Sequence, residues 1–174
     1  MSKKCETLTT FNITVLLLVL TCFFLLTWIL INQVKDYYSQ HNPYLKEVVS
    51  IIKNKMTDPE ILKALNSVTF HEGEDSYTIN KKKTYVCLTD ENGEYYSHHT
   101  LTYVILHEMA HVLCDEIGHT EKFHKIFKQI LKKAEECGLH DPNKSIPNNY
   151  AKAEGSCGVS GAKKKEHNTK KYLN

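Results

Sequence analysis

"HEMAHVLCDEIGHTEKF", His107 to Phe123, places three histidines, His107, His111 and His119, around a short apolar run. His107 and His111 stand four residues apart, with Glu108 directly after the first. On a helix, residues four apart share a face one turn apart, so both imidazoles can reach one ion. Glu108 is rotated by about 100° from His107, which sets its carboxylate beside such an ion rather than on it. This is the logic of H-E-x-x-H: zinc lowers the pKa of a bound water to about 7, and the neighbouring carboxylate takes the proton. With 10 histidines and 14 glutamates among 174 residues, chance produces the pattern about once in twenty such chains. Context raises its weight. A histidine and a glutamate inside an apolar helix cost stability unless they are paired or ligating.

A catalytic zinc needs a third protein ligand and one open position. His119 follows His111 by eight residues, just after Gly118, a residue able to reverse the chain toward the site. Its rivals are His124, Cys114, and Glu135 or Glu136. Cys114 shares the helix face of His111 but suits a small core position. His124 lies at the edge of the next helix's apolar stripe. Glu135 or Glu136 would serve if a later helix donated a carboxylate.

Outward from this stretch, "TLTYVILHEMAHVLCDEI" (100–117) is apolar nearly all round and predicts a buried helix, with Gly118 as its left-handed stop. Thr120 predicts the cap of a second helix, whose Phe123, Ile126, Phe127, Ile130, Leu131 and Ala134 form one stripe before Gly138 ends it. Upstream, "SVTF", "SYTI", "TYVCL" and "EYYS" between Ser67 and Ser97 read as three or four short antiparallel strands, the last after the turn signal Asp90-Glu91-Asn92-Gly93. Asn42-Pro43 and Asp58-Pro59-Glu60 are helix starts, the first followed by Leu45, Val48, Val49, Ile52 and Met56 at helical spacing. The order predicts an α+β domain over residues 32–162.

Before it, residues 1–10 form a flank and Phe11 to Ile31 is a run of 21 residues without a charge. At 1.5 Å per residue it spans roughly 30 Å, the thickness of the hydrocarbon core. Lys3 and Lys4 resemble a signal-peptide start, but the run is too long for the apolar part of one and "INQVKDYY" offers no small-residue cleavage site. Residues 11–31 therefore predict an uncleaved transmembrane signal anchor with the lipid bilayer as partner, giving a single-pass membrane protein. Lysines flank it on both sides, leaving its orientation undetermined.

Net charge is +2, and all 22 basic residues are lysine. Without arginine forks, sequence-specific nucleic-acid readout loses its usual tool. Residues 163–174 hold five lysines against Glu166 and read as a solvated, disordered tail. The six cysteines include no C-x-x-C pair, which argues against a cysteine zinc cluster.

"LHEMAHVLCDEIGHTEKFHKIF" resembles the zincin metallopeptidases of the SprT and WLM type, whose pattern is H-E-x-x-H, a short spacer, then a histidine with a phenylalanine about four positions on. Those positions here are His107, Glu108, His111, His119 and Phe123. The resemblance covers about Thr84 to Asn149, and small membrane-anchored proteins of this kind from genomes of large DNA viruses look most similar to the whole chain. Metzincins are less similar, because no methionine follows His119 to form their Met-turn. The resemblance implies a zincin-like fold, with a small antiparallel sheet packed on the H-E-x-x-H helix. It also implies Zn2+ held by His107, His111 and His119, and hydrolysis of a protein or peptide substrate. Glu108 would deprotonate the attacking water and then protonate the leaving amine. Thr84 to Leu88 is the strand expected to bind substrate by edge pairing. Tyr95, Tyr96 and Tyr103 are near in sequence without an assignable oxyanion role. Two other functions compete: a non-enzymatic membrane protein with a structural metal site, and a DNA-associated protease acting on DNA–protein crosslinks through the lysine tail.

Overall fold

The computed structural model describes residues 3–147, and their side chains from residue 12 onward. The lysine-rich tail expected at 163–174 lies outside the described residues. Two compact units divide the chain, Met1–Asn42 and Pro43–Asn174.

The first unit is helix α1, Lys3–Gln40. Its 38 residues span about 57 Å, so the helix runs on past the apolar stretch 11–31 as far as Gln40. It is long and apolar enough to cross a membrane. Its large side chains are exposed, Trp28 at 68% and Phe24 at 66%.

The second unit is α+β. Helix α2 (Pro43–Lys55) buries Leu45, Val48, Val49 and Ile52 on one face. Helix α3 (Pro59–Ser67) starts as its sequence dictates: Asp58 is the N-cap, its Oδ1 accepting from the amides of Glu60 at 3.0 Å and Ile61 at 3.1 Å. Three short strands follow, β1 (Thr69–Glu72), β2 (Tyr77–Ile79) and β3 (Lys83–Val86), then helices α4 (His98–Leu113) and α5 (Glu121–Glu136). Helix α4 is central, touching α2, α3, α5, β2 and β3. Leu101, Ile105, Leu106 and Met109 on it are fully enclosed. Burying each contributes about 2 kcal/mol.

The sheet is mixed, in the order β1-β3-β2. This corrects the expectation of an all-antiparallel sheet. β2 and β3 form an antiparallel hairpin, with Thr78 opposite Thr84, closed by Asn80 and Lys81 at φ 49° and 55°. β1 pairs parallel to β3, Phe70 opposite Thr84. The reason lies between β1 and β2. The Gly73 amide bonds to the Val86 carbonyl at 3.0 Å, and the Ser76 hydroxyl accepts from the Cys87 amide at 2.9 Å. Those bonds turn the chain across the end of β3, so β3 and not β2 lies beside β1. A Cβ on Gly73 would meet the Asp75 carbonyl oxygen and Tyr85 Cβ, each at 3.0 Å, so a larger residue would push these neighbours aside by a few tenths of an ångström. The expected fourth strand, "EYYS", is reduced to a single bridge between Thr89 and Tyr95. Cys87 is disulfide-bonded, whereas Cys22, Cys114 and Cys137 are free.

Candidate metal centre

Ser97 starts α4 by accepting from the Thr100 amide at 3.2 Å. The helix then carries His107 and His111 on one face and stops at Leu113, four residues before the expected end at Ile117. The chain leaves the helix at Cys114, whose backbone is extended at ψ 132°. The Cys114 amide closes the last turn on the Ala110 carbonyl at 2.8 Å. The Cys114 carbonyl is taken by Lys81 Nζ, reaching over from the β2–β3 hairpin at 2.6 Å, a cation at the negative end of the helix. Residues 115–118 then form an exposed turn, tied by an ion pair of Asp115 with Lys122 at 2.6 Å. Gly118 adopts φ 84°, a left-handed conformation that glycine takes without strain. It therefore reverses the loop rather than capping the helix. Thr120 caps α5, its Oγ1 accepting from the Phe123 amide at 3.3 Å. His119 is thus held between a glycine reversal and a helix cap, facing back toward α4.

The result is a convergence of three imidazoles. His119 Nε2 lies 3.0 Å from His107 Nε2 and 3.1 Å from His111 Nε2, and ligand atoms of the three fall within 4.8 Å of one another. An imidazole nitrogen carries either one hydrogen or one lone pair. His119 Nε2 cannot make two full hydrogen bonds to these neighbours, but a cation between the rings satisfies all three lone pairs. For tetrahedral Zn–N bonds of 2.0–2.1 Å the nitrogens sit about 3.3 Å apart, close to the observed spacing. This group of three histidines could hold a metal ion.

The surroundings keep His107 and His111 neutral, as ligands must be. Burial, then the positive charges that His111, His119 and His124 would carry, depress the His107 pKa to about 3. Burial followed by His119 lowers that of His111 to about 4. Phe123, fully enclosed, is the hub of the cluster. Its ring stacks on His111 at 4.3 Å and meets His107 at 4.9 Å and His119 at 4.7 Å. Phe127 meets His107 edge-on at 5.1 Å.

Glu108, on the same helix, turns its carboxylate toward the sheet and is only 3% exposed. Its Oε2 accepts from Thr78 Oγ1 at 2.8 Å, and Thr78 Oγ1 lies 3.0 Å from Thr84 Oγ1. Desolvation pushes its pKa up to about 7, partly opposed by the Thr78 hydrogen bond.

The rival third ligands are not brought in. Cys114 is buried at the end of α4. The exposed ring of His124 lies 6.3 Å from that of His119, outside the group. Glu135 and Glu136 lie three turns beyond Phe123, about 18 Å along α5, and Glu136 pairs with Lys133. Of the three tyrosines, Tyr103 precedes His107 by one turn of α4 and packs edge-on to Phe127 at 5.2 Å. Tyr96 is buried, and Tyr95 packs on Tyr44. Thr78, Thr84 and Lys81 were not singled out from sequence. Their signal was present in "SYTI" and "KKKTYV": a polar threonine at the inward-facing position of each strand, opposite a buried acid.

Fold and site together define an α+β protein with a three-histidine, metal-competent centre next to a buried carboxylate. The sequence is 44% identical over 106 residues to Uncharacterized protein 136R of Invertebrate iridescent virus 6, covering 59% of this chain and 56% of that protein. It is 42% identical over 90 residues to Uncharacterized protein 042R of Invertebrate iridescent virus 3, covering 51% of this chain and 57% of the relative. A shorter match, 42% over 59 residues, is to Uncharacterized protein R325 of Acanthamoeba polyphaga mimivirus, covering 33% and 30% of the two chains. The chain thus spans little more than half the length of the first two relatives. No family model matches the chain, and no solved structure does.

Proposed function

We propose that this chain is a membrane-anchored, zinc-dependent peptidase of the zincin type. The observation that carries the reading is the convergence of His107, His111 and His119 with Glu108 on the same helix, beside but outside the ligand set. A bound zinc ion supplies Lewis acidity, polarising a scissile carbonyl and making a water acidic near neutrality. The three imidazoles would hold the ion. Glu108 accepts the water's proton and returns it to the leaving amine, and a carboxyl pKa near 7 suits both transfers. Thr78 occupies one carboxylate oxygen, and no described residue bonds to the other.

An extended peptide pairs with the outer edge of β2. β3, the strand expected from sequence, is central and has no free edge. Helix α1, with its exposed apolar side chains, anchors the enzyme in a bilayer.

The test uses the full-length protein in detergent micelles. Wild type should bind one zinc per chain and cleave an unstructured protein such as casein, with loss of cleavage on chelation. Glu108→Gln should keep the zinc and lose at least a hundredfold in turnover. Undiminished cleavage by that variant, or no zinc in wild type, defeats the proposal.

A further inference from the structure

We infer that Thr78, backed by Thr84, is a positioning residue that fixes the carboxylate of Glu108 for its work at the metal centre. The inference rests on the peptidase reading and adds to it a device contributed by the sheet. An ionised carboxylate only accepts hydrogen bonds, so at 2.8 Å the Thr78 hydroxyl must be the donor. Thr78 Oγ1 has then used its one hydrogen. Its 3.0 Å contact with Thr84 Oγ1 must be accepted, with Thr84 donating. While Glu108 is ionised, the relay therefore runs from Thr84 to Thr78 to Glu108.

Every part of it is held by independent structure. Thr78 and Thr84 face each other across the β2–β3 pair. Both are β-branched and stiff at χ1, and Thr84 is fully enclosed. Glu108 stands on the most deeply buried helix of the unit. A glutamate side chain has three rotatable bonds, and a buried one without a partner would be free to turn from the metal centre. The relay occupies Oε2 and thereby sets where Oε1 lies. β2 is also the edge strand, so the strand that would pair with a peptide carries the residue that aligns the base.

The experiment is a double-mutant cycle on the zinc-loaded full-length protein in micelles, read two ways. The first is turnover of casein. Thr78→Val, which keeps the shape and removes the hydroxyl, should lower kcat 10- to 100-fold with KM changed less than twofold, since misplacing a catalytic group by about 1 Å costs about a hundredfold. Thr78→Ser should restore activity to within threefold, and Thr84→Val should lose about fivefold. The second is affinity for acetohydroxamic acid by calorimetry, a zinc ligand whose N–H or O–H a properly placed Glu108 would accept. Thr78→Val should weaken it about fivefold in the wild-type background and by less than 1.5-fold when combined with Glu108→Gln.

A threonine that merely supports the fold would weaken both backgrounds equally, and that result overturns the inference. So does a serine variant as impaired as the valine one. If Thr78→Val does not fold, Thr84→Val takes its place in the cycle, and equal weakening of hydroxamate affinity in both Glu108 backgrounds overturns the inference. If wild type binds the hydroxamate yet cleaves nothing, the peptidase reading fails, while the cycle on hydroxamate affinity still decides the positioning role. If wild type binds no hydroxamate when loaded with zinc, both fall.

Discussion

Replacing Glu108 with glutamine should make the metal-free protein more stable, by an amount that grows as pH rises from 4.5 to 8. The carboxyl is 3% exposed, and burial raises its pKa from 4.5 to about 7. The sign follows from linkage. The folded state binds this proton more tightly than the unfolded state, so the associated stability is complete below pH 4.5 and is lost as pH rises through 7. A shift of that size corresponds to about 3 kcal/mol at pH 8, where the folded chain holds a buried anion, and to less than about 0.5 kcal/mol at pH 4.5. Glutamine is neutral and of the same shape, and its carbonyl can accept the Thr78 hydroxyl. It should recover nearly all of the loss. For a domain of this size the gain is a rise in Tm of about 10 °C at pH 8, shrinking to about 2 °C at pH 4.5. Thermal unfolding of both full-length proteins in micelles with excess chelator measures it. Adding zinc should shrink the gain at pH 8, because a nearby cation favours the charged form. Equal Tm values at pH 8, or an increment that does not vary with pH, would show that Glu108 is not held in a desolvated site and would refute the reasoning.

Three further outcomes are expected. His119→Ala should weaken zinc binding by on the order of 10²–10³-fold in chelator competition, since structural zinc sites bind with about 10–16 kcal/mol shared among their ligands; His124→Ala should change it less than threefold. Phe123→Ala removes a fully enclosed ring that touches all three histidines, and should cost about 3–5 kcal/mol by denaturant unfolding together with zinc affinity. His107, whose folded pKa is depressed to about 3, contributes stability that is present above pH 6.5 and lost as pH falls. Relative to wild type, metal-free His107→Gln should therefore gain about 1–2 kcal/mol in going from pH 7.5 to 5, measured as the change in Tm difference.

The parts of the fold legible in sequence are those whose signals are local. Asp58 and Thr120 cap their helices because a side-chain oxygen needs only the amides two or three residues on. Phe123, Phe127, Ile130 and Ala134 line one face of α5 through spacing alone. The convergence of His107, His111 and His119 followed the same logic, one turn of helix plus one glycine reversal. The sheet order was not legible, because three strands of three or four residues carry no mark of which neighbour each will take. It is decided by long-range bonds, such as that of the Gly73 amide to Val86. The contact of Lys81 with the end of α4 was hidden for a similar reason, since Lys81 lies 33 residues from the carbonyl it takes. Thr78 and Thr84 looked like ordinary strand threonines, and only the packing of the hairpin against α4 turns them toward an acid.

The early termination of α4 has a consequence for how the centre is assembled. Two of its nitrogen donors ride on the most deeply buried helix of the domain, and the third sits at the end of a solvent-facing segment, Asp115–His119. A bound ion would act as a latch, tying this segment as a strap to the paired rings of α4 through His119. Metal uptake and release should proceed through that strap, and limited proteolysis near Ile117, 81% exposed, should be slowed by zinc far more than cleavage elsewhere.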